Sequence, residues 1–357
     1  MAACIGMFIR AIVIAVAVAA GFIPMPAPWV ERFYSRGAFA RLQPFVTGLS
    51  NHVPFSLFDV LLVGAVTLLV VATAQAIARA WRSRRISTLG RFGLNVMAIA
   101  AAVYLVFLVM WGLNYRREPL SDRLAPSGGK ADRATLVRLG HLAADQLNKL
   151  HDNAHREGFP GWKQLRPALE ASYRRLQARL TPGTNPRPGV AKWSVLTYFF
   201  ERAGVSGMTD PFFLEVLVDR NLLPFERPLV LAHEWSHLAG YADEAEANFV
   251  GWLTCVNAGA PAAYSGWLYL YSEALGALPA SERPALVQAL GRGPRADLAA
   301  VAQRARRIQP ALRSMSWRVY DRYLKANRME EGIASYDRAL LLVLRTRFVD
   351  GWVPVLK

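Results

Sequence analysis

Residues 231–252 read LAHEWSHLAGYADEAEANFVGW and gather two histidines and four acids in a chain that holds six histidines altogether. His233, Glu234 and His237 form H-E-x-x-H. On a helix, positions four apart stand one turn above each other, so both imidazoles reach one ion and Glu234 lies beside the open coordination position. That is the arrangement of a zinc hydrolase: neutral imidazoles hold the metal, and the carboxylate takes a proton from the metal-bound water as it attacks a carbonyl. The plain alternative is a helix whose histidines make ordinary hydrogen bonds. The acids downstream weigh against it, because a zinc site needs a third ligand.

Three acids compete for that place. Asp243 fits the spacing H-E-x-x-H-x-x-G-x-x-H/D, in which Gly240 lets the chain turn back to the metal. Glu244 and Glu246 belong to a helix that starts here, as in zinc hydrolases whose third ligand is a glutamate on a following helix. Asp243 with Glu246 three residues later reads as a capping box: Asp243 caps the helix and Glu246 reaches back to the first free backbone N–H. Glu244 is then left without a structural duty and is preferred as ligand, with Glu246 and Asp243 as the alternatives. Asn248, one turn beyond, is placed to orient Glu244 by hydrogen bonding.

The chain has 357 residues, 53% hydrophobic, with a formal net charge of +16. That allows one sizeable domain plus a membrane-embedded part. Charge-free runs predict spans at about residues 7–28, 56–79 and 92–115. The first also has the makings of a cleaved signal peptide, but it lacks a small-x-small cleavage site and two more spans come after it. Arginines 79, 82, 84, 85 and 91 crowd the connection between the second and third spans, which the positive-inside rule places in the cytoplasm. The N-terminus then lies inside and everything after the third span outside, although Arg116 and Arg117 pull the other way. Without aromatic-interleaved basic stretches or a Gly-rich phosphate loop, nucleic acid is not an expected partner, and anionic lipid is the simpler use of the charge. Cys4 and Cys255 do not make a disulfide framework.

Beyond the membrane domain, 1–118, residues 119–133 read as a linker on their Pro, Ser, Gly and charge content. The catalytic domain, 134–357, is expected to be mostly helical with a small β-sheet. Its helices are predicted over 134–157, 162–180, 228–238, 243–256, around 267–278 and over 332–348. PFFLEVLVD, 211–219, has strand composition and is either a core strand or the sheet edge that binds a peptide. His151 and His155 also stand four apart, but without acids downstream they read as a solvated helix face. Residues 279–310 carry no chemistry of their own. The apolar stretch 228–242 is too short to cross a bilayer, so the metal is not expected among the spans.

The run HEWSHLAGYADEAEANF, with WGLNYRREPL at 111–120 and YLKANRMEEGIASYDR at 323–338, resembles the bacterial membrane-protein family known as domain of unknown function 3810, over nearly the whole chain. The resemblance implies the same H-E-x-x-H followed by a glutamate-rich stretch ending in E-A-N, matched here by Glu246, Ala247 and Asn248, with a further glutamate at Glu244. It disfavours Asp243, and Ala245 departs from the acid such members carry. Tyr241, Tyr336 and Arg328 are the candidate oxyanion donors, the last two inside the family-like segment. The expectation is therefore mainly α: three N-terminal transmembrane helices followed by a zincin-like metallopeptidase domain outside the bacterial cytoplasmic membrane. It would bind one Zn2+ per chain through His233, His237 and Glu244 and act on an unidentified peptide or protein. The rival expectations are a zinc hydrolase of a lipid or cell-wall bond, and a non-catalytic membrane scaffold with structural zinc.

Overall fold

Apolar composition dictates the first part of the chain. The computed structural model describes residues 2–159, 161–326 and 338–357, and it is mostly helical with few strands. Two helices, α4 (Leu57–Ser83) and α5 (Ser87–Met110), are long and apolar enough to cross a membrane, and a third candidate span is a bent pair. Side chains such as Leu68, Val70 and Ile99 stand exposed on α4 and α5. Ser56 starts α4 by accepting the N–H of Asp59.

Both outer spans differ from expectation. Helix α1 (Ala2–Phe22) stops short of 28, and the chain bends by 112° before resuming at Ala27. Pro24 and Pro26 lack the N–H that a continuing helix needs. The chain after the bend is helical and not a loose loop: α2 (Ala27–Trp29), a π-helical stretch at Val30–Ala38, and α3 (Phe39–Ser50). At the other end, α5 gives way at Trp111 to a 3-10 turn over Gly112–Arg116. Trp111, Asn114 and Tyr115 are buried there because they enter the core of the next domain.

That core is held between α6 (Arg133–Glu157), α7 (Trp162–Leu180) and a later helical layer: α9 (Arg227–Leu238), α10 (Glu244–Val256) and α11 (Ala260–Ala277). Leu139, Ala143, Ala144 and Leu147 of α6 meet Trp267, Tyr271 and Ala274 of α11. Each large apolar side chain among them contributes about 1.5–3 kcal/mol when fully buried. Helices α8 (Thr197–Ala203), α12 (Arg283–Ala289), α13 (Arg292–Ala305) and α14 (Pro310–Ala326) surround it, and α15 (Arg338–Arg345) packs on α10. The last helix ends before Phe348, which instead opens a two-stranded ribbon, β4 (Phe348–Val349) and β5 (Val353–Pro354).

The stretch read as a linker divides in two. Leu120, Leu124 and Ala125 are buried, Leu124 and Pro126 bridge to Leu356 and Thr346, and the Ser127 N–H donates to the Arg345 carbonyl, so only the few residues between Ser127 and the Asp132 cap of α6 run as a surface linker.

A three-stranded sheet covers α9. Its order is β1 (Ala191–Lys192), β3 (Val216–Val218), β2 (Gly207–Thr209), with β3 parallel to β1 and antiparallel to β2. Val216, Leu217 and Val218 are wholly buried. Of the two readings of PFFLEVLVD, the core strand is therefore the one observed, and the sheet edge is β2. Asp210 shortens the strand by accepting the N–H groups of Phe212 and Phe213.

Candidate metal centre

Helix α9 begins with Pro228 in its first turn, where the missing N–H costs nothing. Trp235 fixes its inner face: the side chain is fully buried, its indole N–H donates to the Gly189 carbonyl, and its own carbonyl accepts the Tyr173 hydroxyl. With that face anchored, His233 and His237 project together toward α10. Gly240, at φ +84, makes the reversal between α9 and α10, a backbone conformation that side chains disfavour.

The reversal brings Glu244 onto the histidines. The two Nε2 atoms are 3.1 Å apart, Glu244 Oε2 is 3.3 Å from His233 Nε2, and Glu244 Oε1 is 3.6 Å from His237 Nε2. Zinc bonds of about 2.0–2.1 Å to N and O place tetrahedral donor atoms about 3.3–3.4 Å apart. The observed separations, each of the two Glu244 oxygens facing one imidazole, are of that size, so these residues fit a metal ion. His237 Nδ1 donates to the Tyr241 carbonyl at 2.8 Å, which leaves the Nε2 lone pair facing the triangle. His233 Nδ1 is buried with no hydrogen-bond partner among the described residues.

The electrostatics point the same way. Burial opposes the charged form of His237, but Glu244 outweighs it and pushes the imidazole up to about 9. Burial likewise opposes ionisation of Glu244, yet His237 and His233 hold it well below the usual carboxylate range. A site that favours a proton between these groups in this way also favours a cation there.

Glu234 is buried beside them, and burial raises its pKa against the pull of both histidines. The Thr209 hydroxyl lies within hydrogen-bond distance of Glu234 Oε2 (2.8 Å) and of the Glu234 carbonyl (3.0 Å), so strand β2 rests directly on the carboxylate. Gly207 lies so close that a Cβ there would come within 2.6 Å of Glu234 Oε1. In the ladder to β3, Ser206 pairs with Asp219 and Asp210 with Glu215. By alternation, the backbone N–H and C=O of Gly207 and Thr209 then face the outer edge.

The other expected residues lie elsewhere. Asp243 caps α10 by accepting the N–H groups of Ala245 and Glu246, and it is ion-paired with Arg338. Glu246 does not close a capping box. Its Oε1 accepts the Leu120 N–H at 2.5 Å, and burial together with the Asp243 carboxylate pushes it up to about 7. Both acids line a separate cavity of about 630 Å³ with Arg117 and Arg345, and none of His233, Glu234, His237 and Glu244 lines it. Asn248 makes no hydrogen bond to Glu244 among the described residues, because the Glu244 oxygens face the imidazoles.

Tyr241 points its hydroxyl away from the imidazoles. Its ring is fully buried under the Arg117 guanidinium, and its hydroxyl faces Thr181 and Gln177. Arg328 and Tyr336 lie outside the described residues.

Sequence reasoning missed the brace behind the motif. Arg117 donates to both oxygens of Glu31 at 2.8 and 3.0 Å and to the Gly240 carbonyl at 2.9 Å. Trp111 donates its indole N–H to the His237 carbonyl. Arg116 donates to the carbonyl of Ala20 at the end of α1. The segment leaving α5 is thus built into the far side of the His233, His237 and Glu244 cluster. Two arginines flanking an apolar run offered a signal, but one equally consistent with a membrane-surface charge.

A helical protein with membrane-crossing candidates and a two-histidine, one-glutamate cluster that could bind a metal is the class these observations define. The chain belongs to the family described as "Protein of unknown function (DUF3810)", whose model matches residues 34–344. No curated protein and no solved structure matches it.

Proposed function

We propose that the protein is a membrane-anchored, zinc-dependent peptidase. The observation that carries this reading is the cluster of His233 Nε2 and His237 Nε2, 3.1 Å apart, with the Glu244 carboxylate, whose two oxygens face them at 3.3 and 3.6 Å, beside a second, buried carboxylate. Bound there, zinc would acidify a water molecule and polarise the substrate carbonyl. Glu234 is the general base: it takes the proton of the attacking water and delivers it to the leaving amine, for which a raised pKa suits it. Thr209 holds one of its oxygens in place. The outer edge of β2 supplies backbone donors and acceptors along which an extended peptide adds as a further strand.

Full-length protein in detergent, incubated with a mixed peptide library, should cleave it, and Glu234→Gln should retain the zinc while cleavage falls by about 10²–10⁴-fold. Undiminished cleavage by that variant would refute the assignment. A lipid or cell-wall amide as substrate is the second reading, favoured by the bond from Trp111, at the end of α5, to His237. Cleavage of such substrates but not of peptides selects it.

The reading extends to topology: the arginine-rich connection after α4 faces the cytoplasm, and the metal centre lies outside the bacterial cytoplasmic membrane. Arg116 and Arg117, the two charges that argued otherwise, are engaged by Ala20 and Glu31. Ser127→Cys should react with an impermeant maleimide on whole cells and Ser83→Cys should not. The opposite pattern reverses the topology.

A further inference from the structure

The HDNAH pair is more than a solvated helix face. Residue Asp297, in the segment 279–310 that read as chemically silent, comes back to it from α13. His155 Nε2 lies 2.9 Å from Asp297 Oδ2, and His151 Nε2 lies 3.8 Å from the same oxygen. The two imidazole rings are 4.3 Å apart, and one ligand atom from each of the three residues falls within 4.8 Å of the others. We propose that His151, His155 and Asp297 form a second divalent metal site, for a borderline ion of the zinc type, distinct from the one on α9 and α10.

Four further features support it. Asp297 is buried, and the Tyr264 hydroxyl donates to its Oδ2 at 2.5 Å, fixing the carboxylate. His151 Nδ1 donates to Asp152 at 2.9 Å, so Nε2 is the atom presented to Asp297, the pairing that orients metal-binding histidines. Gly293 leaves the space that the His151 ring fills: a Cβ there would collide with the imidazole. Phe159, Phe225 and Tyr264 pack around the His155 ring, giving the cluster an apolar wall.

Two imidazoles and a carboxylate suit zinc, cobalt or nickel. Both histidines are partly exposed, at 20% and 37%, so their rings have room to close on an ion.

The site would tie α13 to α6 and α11. Helix α13 also carries Arg304, which donates to Glu226 at the start of the motif helix. An ion here therefore braces the entry to α9 without joining the chemistry.

The test counts zinc in full-length protein stripped with chelator and re-equilibrated with zinc alone. Wild type should hold two zinc per chain, and His155→Ala and Asp297→Asn should each hold one. Asp297→Asn keeps an acceptor for the Tyr264 hydroxyl, so helix packing persists while the anionic ligand is lost. Zinc should also raise the melting temperature of wild type more than that of Asp297→Asn. Equal counts in wild type, His155→Ala and Asp297→Asn overturn the proposal. Failure of the first site would appear separately, as an unchanged count in His237→Ala.

Discussion

The two histidine pairs of this chain share one design and differ in everything around it. Each has imidazoles four residues apart on a helix and a carboxylate brought from another helix. At His233/His237, the carboxylate arrives from the very next helix, a second buried carboxylate stands beside the pair, and an edge strand lies on top. At His151/His155, the carboxylate comes from 142 residues away, the neighbouring acid Asp152 faces solvent, and the surroundings are the rings of Phe159, Phe225 and Tyr264. The ligand pattern alone therefore makes a place for an ion. On the proposed reading, a buried base and a surface for an extended chain are what would turn such a place into a centre capable of hydrolysis.

The sharpest way to break this contrast is at the acid beside each pair. Beyond the loss already expected for Glu234→Gln, Asp152→Asn should leave peptide cleavage unchanged. A comparable fall in both variants would erase the distinction.

A second test uses the glycine that each cluster crowds. Gly207→Ala pushes a methyl toward Glu234 Oε1 and should lower cleavage by roughly 10²-fold, the scale expected when a catalytic group is misplaced by about 1 Å. Its zinc content should not change. Gly293→Ala should do the reverse, removing one zinc and sparing cleavage.

The first cluster is braced from behind by Arg117 and Trp111. Arg117→Ala leaves the buried Glu31 without its bidentate partner and should cost about 3–5 kcal/mol in unfolding measurements. Trp111→Phe removes the indole hydrogen bond to His237 together with part of a buried ring and should cost about 1–3 kcal/mol.

A further effect concerns Asp210, which ends the edge strand. Burial raises its pKa from 3.8 to about 7. A folded-state value above the unfolded one means that its contribution is fully present below about pH 4 and is lost as the pH rises through about 7. Asp210→Asn should therefore melt with a flatter pH dependence than wild type over that window.

What could be read in the sequence was whatever sits close together along the chain. The motif helix, its glycine turn, the Asp243 cap and the apolar runs all depend on spacings of a few residues. What escaped depends on contacts across the fold. Glu246 satisfies the Leu120 N–H, 126 residues away, rather than its own helix end. Asp297 reaches His155 from a distant helix. Strand β2 is three residues long and shows no alternation to betray it. Trp111 and Arg117 looked like the margin of a membrane span because their burial is created by a turn that only the tertiary fold requires.

The central claim is that Glu244, and neither of its acidic neighbours, completes the first metal centre. Zinc analysis of wild type beside Asp243→Ala, Glu244→Ala and Glu246→Ala tests it directly. Glu244→Ala should lose one zinc per chain while the other two variants keep the wild-type content. Loss of zinc from Asp243→Ala or Glu246→Ala, with Glu244→Ala unchanged, would contradict the account.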